Sequence, residues 1–277
     1  MNDRGAILIT GCSTGIGRAA AEHLARRGHP VYATARNLHD ITALTASGCE
    51  TLSLDVTDET SMVAAVKAIE AEHGAIGALV NNAGYALQGP VEELDPDDLR
   101  RQFETNVFGL VRLTQLVLPA MREKREGRII NVSSMGGRFT FPGGGAYHAT
   151  KHAVAAFSDA LRFEVRPFGI HTSIIEPGII RTHFGTTAIA TKDEADDSPY
   201  AALHAIQRLQ LHNAYEGAIG RFAGAGPKAV AKAIEHAITA GHPRTRYRVT
   251  PGARVIIAVR RALPDRLWDG LLRTVYR

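Results

Sequence analysis

Short apolar runs recur along the chain, each followed by a stretch in which apolar residues are spaced as on one face of a helix. The first run is "AILIT", and Ile16, Ala20 and Leu24 follow at helical spacing until Gly28 interrupts the pattern. A short apolar run predicts a buried strand, whereas spacings of three or four residues predict a helix. The chain therefore begins with a strand, a glycine-rich turn and a helix.

The same alternation continues after this first unit. Further strands are predicted at "VYATA", "TLSLDV", "ALVNN", "RIINVS" and "HTSIIEP". Helices are predicted near "DITALTA", from Glu59 to His73, from Asp97 to Met121 and around Tyr147 and Lys151. Strands that alternate with helices of this length indicate a parallel sheet with helices on both faces. The predicted fold is a single α/β domain, residues 1–277, with a Rossmann-type doubly wound sheet.

Residues 181–225 interrupt the alternation. The segment "GTTAIATKDEADDSP" is polar and loop-like, and "YAALHAIQRLQLHNAY" after it predicts a helix. In doubly wound folds, ligands bind beyond the carboxyl ends of the strands, where this insertion begins. An insertion at that edge predicts a lid over the substrate.

The composition favours a soluble globular protein over a membrane-spanning, secreted or disulfide-rich one. Apolar residues make up 45% of the 277 residues and charged residues 22%, which is typical of a soluble globular protein. The chain has no run of 18 apolar residues, and its first apolar run is too short for a secretory signal. Cys12 and Cys49 are too few for a disulfide framework and have no metal-ligand spacing. We expect a cytoplasmic protein without a metal site.

The positive charge is concentrated in a basic C-terminal extension, residues 244–277. This extension holds nine arginines against Asp265 and Asp269, so it carries +7 and leaves −3 for the rest of a chain with net charge +4. Two interpretations stay open: the extension lies on an anionic membrane surface, or it ends in a helix packed on its own domain, which is the favoured one. Nucleic-acid binding is not predicted, because the basic segment is short and contains no recognised module.

A glycine-rich turn, "TGCSTGIG", joins the first strand to the first helix. Gly11, Gly15 and Gly17 permit a tight turn and a close approach of the backbone to a ligand. The N–H groups at the start of the following helix attract a pyrophosphate. An ordinary strand-to-helix turn would have the same glycines, but their position after the first strand of a doubly wound pattern favours dinucleotide binding.

The end of the second strand indicates which dinucleotide binds. Ala35 and Arg36 stand where an acidic residue would accept a hydrogen bond from a free ribose 2′-hydroxyl. A guanidinium suits a 2′-phosphate, with Ser13 and Asn37 near enough in sequence to assist, so NADP(H) is preferred over NAD(H). Asp40 is interpreted as the N-cap of the next helix. Arg36 could alternatively be a solvated loop residue.

Tyr147 and Lys151 in "AYHATKHAV" lie four positions apart and so share a helical face. A phenol titrates near ~10, and a cation about 4 Å away at an effective dielectric near 20 supplies the roughly 4 kcal/mol needed to bring this value to about 7. Ser134 closes the strand "RIINVS" at the same sheet edge, where its hydroxyl could hold a carbonyl oxygen. Asn106 lies inside a predicted helix, where asparagine is unfavourable unless its amide or a distorted backbone has a function. A surface Tyr–Lys pair and a structural asparagine are the alternatives.

These motifs together resemble the short-chain dehydrogenase/reductase family. The similarity runs from Gly5 to Thr182 through "TGCSTGIG", "LDV", "NNAG", "TNVFG", "NVSS", "YHATK" and "PGIIRT". The resemblance implies that Tyr147 is the acid-base, Lys151 lowers its pKa and holds the nicotinamide ribose, Ser134 orients the substrate oxygen and Asn106 anchors a water relay. The implied cofactor contacts are Gly11, Ser13, Gly15, Ile16, Gly17, Arg36, Asp55, Val56, Asn82, Ala83, Gly84, Tyr147, Lys151, Pro177, Gly178 and Thr182.

The substrate and the assembly are predicted more coarsely. Phe139, Phe141, Tyr85 and Leu87 predict an apolar pocket, and the chain is loosely similar to the branch of the family that acts on steroids and retinoids. A lipophilic alcohol or carbonyl is expected. A 3-oxoacyl-carrier-protein reductase and a non-catalytic NADP(H)-sensing regulator are the alternatives. The apolar helices after Asn106 and Lys151 resemble those through which family members form homodimers or homotetramers, although core helices show the same pattern.

Overall fold

The structure is a computed structural model in which residues 5–182, 198–215, 217 and 222–276 are described. The polar segment predicted to begin the lid, residues 183–197, lies outside the described residues. The helix predicted after it is present from Ala201 to Tyr215.

A seven-stranded parallel sheet forms the centre of the domain. Its strands are β1 (Ala6–Ile9), β2 (Val31–Ala35), β3 (Cys49–Ser53), β4 (Ile76–Asn81), β5 (Gly127–Val132), β6 (Ile170–Glu176) and β7 (Arg246–Arg248). They lie in the order β3-β2-β1-β4-β5-β6-β7, and every neighbouring pair is parallel. The order reverses between β1 and β4, which opens a ligand crevice at their carboxyl ends. The predicted doubly wound α/β fold is confirmed.

Helices cover both faces of the sheet. They are α1 (Gly15–Ala25), α2 (Glu59–His73), α3 (Pro96–Phe103), α4 (Gly109–Lys124), α5 (Gly145–Glu164), α6 (Ala201–Tyr215), α7 (Pro227–Thr239), α8 (Pro251–Ala262) and α9 (Asp265–Val275). Successive residues of a strand point to opposite faces. Ile7 of β1 accordingly packs in a cluster with Leu24 of α1 and Ile234 of α7, whereas Leu8 packs in a second cluster with Leu113 of α4.

The helix predicted from Asp97 to Met121 is not continuous. A π-helical turn at Glu104–Phe108 separates α3 from α4, and Asn106 lies within that turn. Its buried amide bonds to the backbone of Tyr85, as described below for the site. The distortion expected around this asparagine is therefore present, and it shifts the register between the two helices by widening one turn.

The interpretation of Asp40 as an N-cap is wrong. The segment Leu38–Ser47 is a 3₁₀ helix, and the side chain of Asn37, the residue before it, accepts a hydrogen bond from the N–H of His39. Asn37 also donates to Asp40 at 3.4 Å. Asn37 thus fills the capping position, because it stands directly before the first turn while Asp40 lies within it.

Part of the C-terminal extension completes the sheet as β7, a strand not predicted from the sequence. Strand β7 is only three residues long, and Tyr247 is its buried member. Arg246 and Arg248 both pair with Glu176 at the end of β6, so two of the three residues of this strand are held by ion pairs instead of apolar packing. Among the described residues, no helix is both long and apolar enough to cross a membrane.

Beyond β7, the extension forms α8 and α9. Trp268 of α9 is buried and meets Phe139 edge-on, with ring centroids 5.5 Å apart. The inner face of α9 therefore packs on the domain, as the favoured interpretation of the extension predicts.

Candidate active site

A cavity of about 1050 Å³ opens at the carboxyl ends of the strands, next to the point where the strand order reverses. Among its lining residues are these from the sequence analysis: Gly11, Ser13, Gly15, Ile16, Arg36, Asp55, Val56, Asn82, Ala83, Gly84, Ser134, Tyr147, Lys151, Pro177, Gly178 and Thr182. Gly17 and Asn106 belong to the predicted set but lie behind the lining. The fold thus brings segments from six strand ends to one space.

The glycine loop is shaped by close backbone packing. Gly11 has φ +71°, and a Cβ there would lie 2.9 Å from the Cα of Ala83. A Cβ on Gly17 would lie 2.2 Å from the carbonyl oxygen of Gly11, which explains why Gly17 must be glycine although it does not line the cavity. Gly15, with φ +62°, keeps the loop close to Thr182 across the cavity.

Hydrogen bonds from the end of β4 hold the same loop. The amide of Asn82 donates to the carbonyl oxygens of Thr10 at 2.9 Å and Gly11 at 3.1 Å. The backbone N–H groups of Asn82 and Ala83 both donate to the hydroxyl of Thr10 at 3.0 Å. The "NNAG" segment therefore fixes the position of the glycine loop as well as lining the cavity.

The start of α1 fits an anionic ligand. Thr14 precedes the helix but makes no side-chain capping bond to the described residues, and the first turn contains no acidic side chain. The N–H groups of this turn therefore retain hydrogen-bonding capacity at the positive end of the helix dipole. Backbone donors beside a glycine loop provide the cradle that a pyrophosphate requires. The residues present therefore fit a dinucleotide cofactor.

Charged groups of both signs line the β2 end of the cavity. Arg36 is exposed at the end of β2, and Arg101 also lines this part of the cavity. Asp55 is already engaged, because one carboxylate oxygen accepts from the N–H and the hydroxyl of Thr57. Arg101 is paired with Asp98, which leaves Arg36 as the better placed cation.

Tyr147 and Lys151 lie on the first turns of α5 and face the same cavity. The lysine is buried, and its Nζ donates to the carbonyl oxygen of Val132 at 3.0 Å. The same Nζ lies 5.7 Å from the centroid of the Tyr147 ring. Burial lowers the pKa of Lys151 to about 8, because the surroundings disfavour the charged ammonium.

The pKa of the phenol differs from the sequence expectation. Burial raises the pKa of Tyr147 well above its ordinary value, and the nearby phenol of Tyr215 raises it further, while a hydrogen bond with Ser134 lowers it. Lys151 does not offset the burial in the protein alone, since its amine bonds to Val132 and its own charge is disfavoured. The protein therefore holds Tyr147 protonated at neutral pH.

The two serines at the end of β5 form different hydrogen bonds. Ser134 lines the cavity beside Tyr147, and its Oγ accepts from the N–H of Gly136 at 3.1 Å. Ser133 also lines the cavity, but its Oγ is engaged, because it donates to the carbonyl oxygen of Lys151 at 3.2 Å. Ser133 thereby ties α5 to the sheet, and Ser134 remains available to a ligand.

Asn106 supports the cavity wall from behind. Its Oδ1 accepts from the N–H of Tyr85 at 3.0 Å, and its Nδ2 donates to the carbonyl oxygen of Tyr85 at 2.9 Å and to the hydroxyl of Thr150 at 3.1 Å. These bonds connect the π-turn to the loop after β4 and to α5. Its observed contacts are those of a structural asparagine, and its part in a water relay stays a prediction.

The substrate end of the cavity is largely aromatic. Phe141 meets His148 edge-on, with ring centroids 4.3 Å apart, and stacks with Tyr276 near the chain end at 6.4 Å. Burial lowers the pKa of His148 to about 4, so this imidazole is neutral. Tyr85 and Phe141 line the cavity as expected, whereas Phe139 and Leu87 are buried behind it.

Several residues that line the cavity are not among those predicted from the sequence. On α6 they are Gln207, Gln210, Leu211, Ala214 and Tyr215. Four of these have the i, i+3, i+4, i+7 spacing of one helical face, a signal that could have identified the face. His148 and Tyr276 also line the cavity, but no local sequence pattern predicts this, because their position depends on how distant segments pack.

A match to a family model decides the classification. The model described as short chain dehydrogenase covers residues 5–193 of the chain, including the glycine loop and the Tyr147–Lys151 pair. The chain belongs to the short-chain dehydrogenase family. The enzyme class and the oxidoreductase activity expected from the sequence are thereby confirmed.

Curated relatives of this short-chain dehydrogenase extend over nearly its whole length. The uncharacterized oxidoreductase YbbO of Escherichia coli (strain K12) is 36% identical over 268 residues, 96% of this chain and 93% of that protein. The 3-ketodihydrosphingosine reductase of Bacteroides thetaiotaomicron is 34% identical over 98% of this chain and 97% of its own. Human retinol dehydrogenase 5 is 35% identical over 97% of this chain and 88% of its own.

Solved structures show the same architecture. A short-chain dehydrogenase from Streptomyces avermitilis is 34% identical, has a TM-score of 0.79 and covers 98% of this chain and 97% of its own. A serine dehydrogenase complexed with NADP⁺ is 27% identical, with a TM-score of 0.74 and coverage of 89% and 94%. A Burkholderia phymatum family member in complex with NAD is 25% identical, with a TM-score of 0.79 and coverage of 94% and 95%. Nicotinamide cofactors of both kinds thus bind to proteins of this fold.

Replacement of Lys151 by methionine is expected to stabilise the fold. The fall in pKa from 10.5 to about 8 corresponds to about 3 kcal/mol against the buried charge, and losing the bond to Val132 costs about 1 kcal/mol. Because the folded pKa lies below the unfolded one, the destabilisation is complete below pH 8 and disappears as pH rises to 10.5. The variant should therefore gain about 1–2 kcal/mol near pH 7 and lose this advantage near pH 10.

Urea unfolding at these two pH values measures the change, with the exposed Lys67→Met as the control. The control should show no pH-dependent difference from the native chain. An equal gain in both variants, or a gain that grows with pH, contradicts a buried ammonium at residue 151.

Proposed function

We propose that this protein is an NADP(H)-dependent oxidoreductase that interconverts a lipophilic secondary alcohol, or a primary alcohol, and its carbonyl form. The supporting observation is that Tyr147 and Lys151 face the same cavity as the glycine loop. A proton donor and a cofactor cradle in one enclosed space are what carbonyl reduction requires.

The proposed catalytic residues are Tyr147, Lys151 and Ser134, with Asn106 in a supporting position. A bound nicotinamide would supply the hydride in reduction and accept it in oxidation. In reduction, Tyr147 donates its proton to the carbonyl oxygen, and Ser134 holds that oxygen by a hydrogen bond. Lys151 stabilises the resulting phenolate from within the same helix, and it would hydrogen-bond the ribose of a bound cofactor. In oxidation, the phenolate accepts the proton from the alcohol.

We propose NADP(H) as the preferred cofactor. The glycine loop and α1 would hold the pyrophosphate, and Arg36 would bind the 2′-phosphate, with Ser13 beside it. Support comes from the guanidinium at the end of β2, where NAD-binding proteins of this fold place a carboxylate. The remaining proposed contacts are Ile16, Asp55, Val56, Asn82, Ala83, Gly84, Pro177, Gly178 and Thr182, all of which line the cavity.

The proposed substrate is lipophilic. The walls near Tyr147 are formed by Phe141, Tyr215 and Tyr276, and a neutral His148 adds no charge. The names of two relatives, a retinol dehydrogenase and a 3-ketodihydrosphingosine reductase, denote substrates with long apolar portions. Residues 181–225 are proposed as the substrate lid, because α6 places five of its residues on the cavity.

Oxidation of NADPH in the presence of a carbonyl panel tests the proposal. The panel contains a retinoid aldehyde, a steroid ketone, a long-chain 3-ketone, a long-chain aldehyde and a short water-soluble ketone. Faster turnover of the lipophilic members is expected. Preference for a 3-oxoacyl carrier protein favours the alternative reductase, and cofactor binding without any turnover favours a sensing regulator.

A cytoplasmic location is also proposed. Cys12 and Cys49 are buried and unpaired, and burial raises the pKa of both thiols, to about 12 and about 11. Reduced, unreactive thiols agree with a reducing compartment.

We propose that the protein assembles as a homodimer or homotetramer through α4 and α5. Phe157 and Phe163 on α5 expose 48% and 65% of their area, and Phe108 beside α4 exposes 51%.

Phe157→Glu should shift the mass measured by light scattering toward the monomer and raise the dissociation constant about tenfold or more. Phe222→Glu, at a more exposed phenylalanine outside these helices, is the control. An unchanged mass in Phe157→Glu contradicts this interface.

A further inference from the structure

His148 is a buried polar side chain at the substrate end of the cavity, and the proposed reaction gives it no role. It is only 3% exposed and lines the cavity beside Tyr147, with ring centroids 5.8 Å apart. Neither of its ring nitrogens hydrogen-bonds to any residue that the structure describes. Because buried polar groups nearly always have a partner, the unpaired imidazole indicates a ligand in the cavity.

The neighbours of the imidazole leave it a narrow space. A Cβ on Gly136 would lie 2.8 Å from Nε2, and a Cβ on Gly144 would lie 3.1 Å from Nδ1, so the ring fits between two glycines. Phe141 meets the ring edge-on, with centroids 4.3 Å apart. An apolar side chain of similar size could fill this space without burying unpaired nitrogens. Packing alone therefore does not explain a histidine at this position.

The Nε2 edge of the ring faces the cavity. Gly136, next to Nε2, is a lining residue, whereas Gly144, next to Nδ1, lies behind the lining. The Nδ1 atom is also completely enclosed, and Nε2 is not. A molecule in the cavity can therefore reach Nε2.

The position of the ring proton follows from these surroundings. Burial and the nearby His152 lower the pKa of His148 to about 4, so at neutral pH the ring is uncharged and has one N–H. An enclosed N–H without an acceptor is rarer than an enclosed acceptor without a donor, which favours the proton on Nε2. An uncharged N–H donor suits a hydroxyl or carbonyl oxygen better than a carboxylate.

This donor lies near the reacting group of the substrate. The N–H of Gly136 donates to Oγ of Ser134 at 3.1 Å, and Ser134 is the residue proposed to hold the reacting oxygen. Gly136 is also the neighbour of Nε2, and Tyr147 directly precedes His148 on α5. A ligand oxygen bonded to Nε2 would therefore lie within a few bonds of the reacting carbon.

We propose that His148 determines specificity by donating a hydrogen bond from Nε2 to a second oxygen of the substrate, on the carbon next to the reacting carbonyl or one carbon further. This inference rests on the proposed function and narrows its substrate class. The substrates are α- or β-hydroxy ketones with a long apolar portion, and the corresponding diols in the direction of oxidation. The aromatic walls bind the apolar portion, and His148 selects the hydroxyl.

Reduction of matched long-chain ketones by NADPH tests the proposal. The ketones have equal chain length and are plain, α-hydroxylated, β-hydroxylated or hydroxylated at the far end of the chain. For the native protein, kcat/KM for the better of the α- and β-hydroxy ketones should exceed that for the plain ketone by about tenfold or more. The far-end hydroxyl should give no such gain.

Two variants of nearly equal size separate hydrogen bonding from packing. His148→Met has no donor and should lower the ratio of the two kcat/KM values about tenfold. His148→Gln can place an amide N–H near the position of Nε2 and should keep most of the ratio. His242→Met, at an exposed histidine outside the cavity lining, is the control and should keep the native ratio.

The ratio compares two substrates on the same variant, so a general loss of active protein cancels. A native protein that does not prefer the hydroxy ketones, an unchanged ratio in His148→Met, or an equal fall in both His148 variants overturns the proposal. The native preference and His148→Gln decide the matter even if His148→Met does not fold. Absence of turnover with every ketone overturns the proposed function itself, whereas equal turnover of all of them overturns only the role of His148.

Discussion

Tyr147→Phe is expected to bind NADPH as the native chain does and to lose turnover by about 10² to 10⁴-fold, the usual contribution of a positioned proton donor. Tyr147 is held protonated by burial and lies beside Ser134 in the cavity. Phenylalanine keeps the ring and its packing but has no proton to give. The loss should therefore appear in kcat, with the cofactor dissociation constant changed little.

Tyr215→Phe is the matched control for this variant. It removes a phenol from the same cavity, but Tyr215 lies on α6 and has no lysine one turn away. Its turnover should stay within about tenfold of the native value, an effect of the size expected for a positioning contact. Equal losses in the two variants, or native turnover in Tyr147→Phe, would contradict Tyr147 as the proton donor.

The sequence predicts those strands and helices whose apolar residues follow a regular spacing. Six strands and their order of appearance follow from short apolar runs, since a parallel sheet buries both strand faces. Strand β7 was missed because its sequence, Arg246 to Arg248, is mostly charged and depends on Glu176 for its position. No local pattern reveals an ion pair formed between segments 70 residues apart.

The site was predictable to the extent that its residues follow strands. Gly11, Arg36, Asn82 and Ser134 each stand at a strand end, and parallel strands bring their ends to one edge. Residues from α6 and the chain end were not found, because their place depends on how those helices close over the sheet. The raised pKa of Tyr147 has the same origin, since it comes from burial and from Tyr215.

Arg36→Asp is expected to reverse the cofactor preference. Loss of a charged hydrogen bond to the 2′-phosphate costs about 1.5–3 kcal/mol, which weakens NADPH binding by about 10- to 150-fold. The new carboxylate repels that phosphate and can accept a hydrogen bond from the free 2′-hydroxyl of NADH. The ratio of kcat/KM for NADPH to that for NADH should fall by about 10²-fold or more.

Two further variants separate Arg36 from other cations. Arg26→Asp reverses an exposed charge at the far end of α1, and it should leave the ratio unchanged. Arg101→Gln removes the second arginine on the cavity, which is already paired with Asp98. If Arg101→Gln lowers the ratio while Arg36→Asp does not, the 2′-phosphate is bound by Arg101. If neither changes it, the cavity does not discriminate by a guanidinium, and the preference for NADP(H) has no basis in this part of the chain.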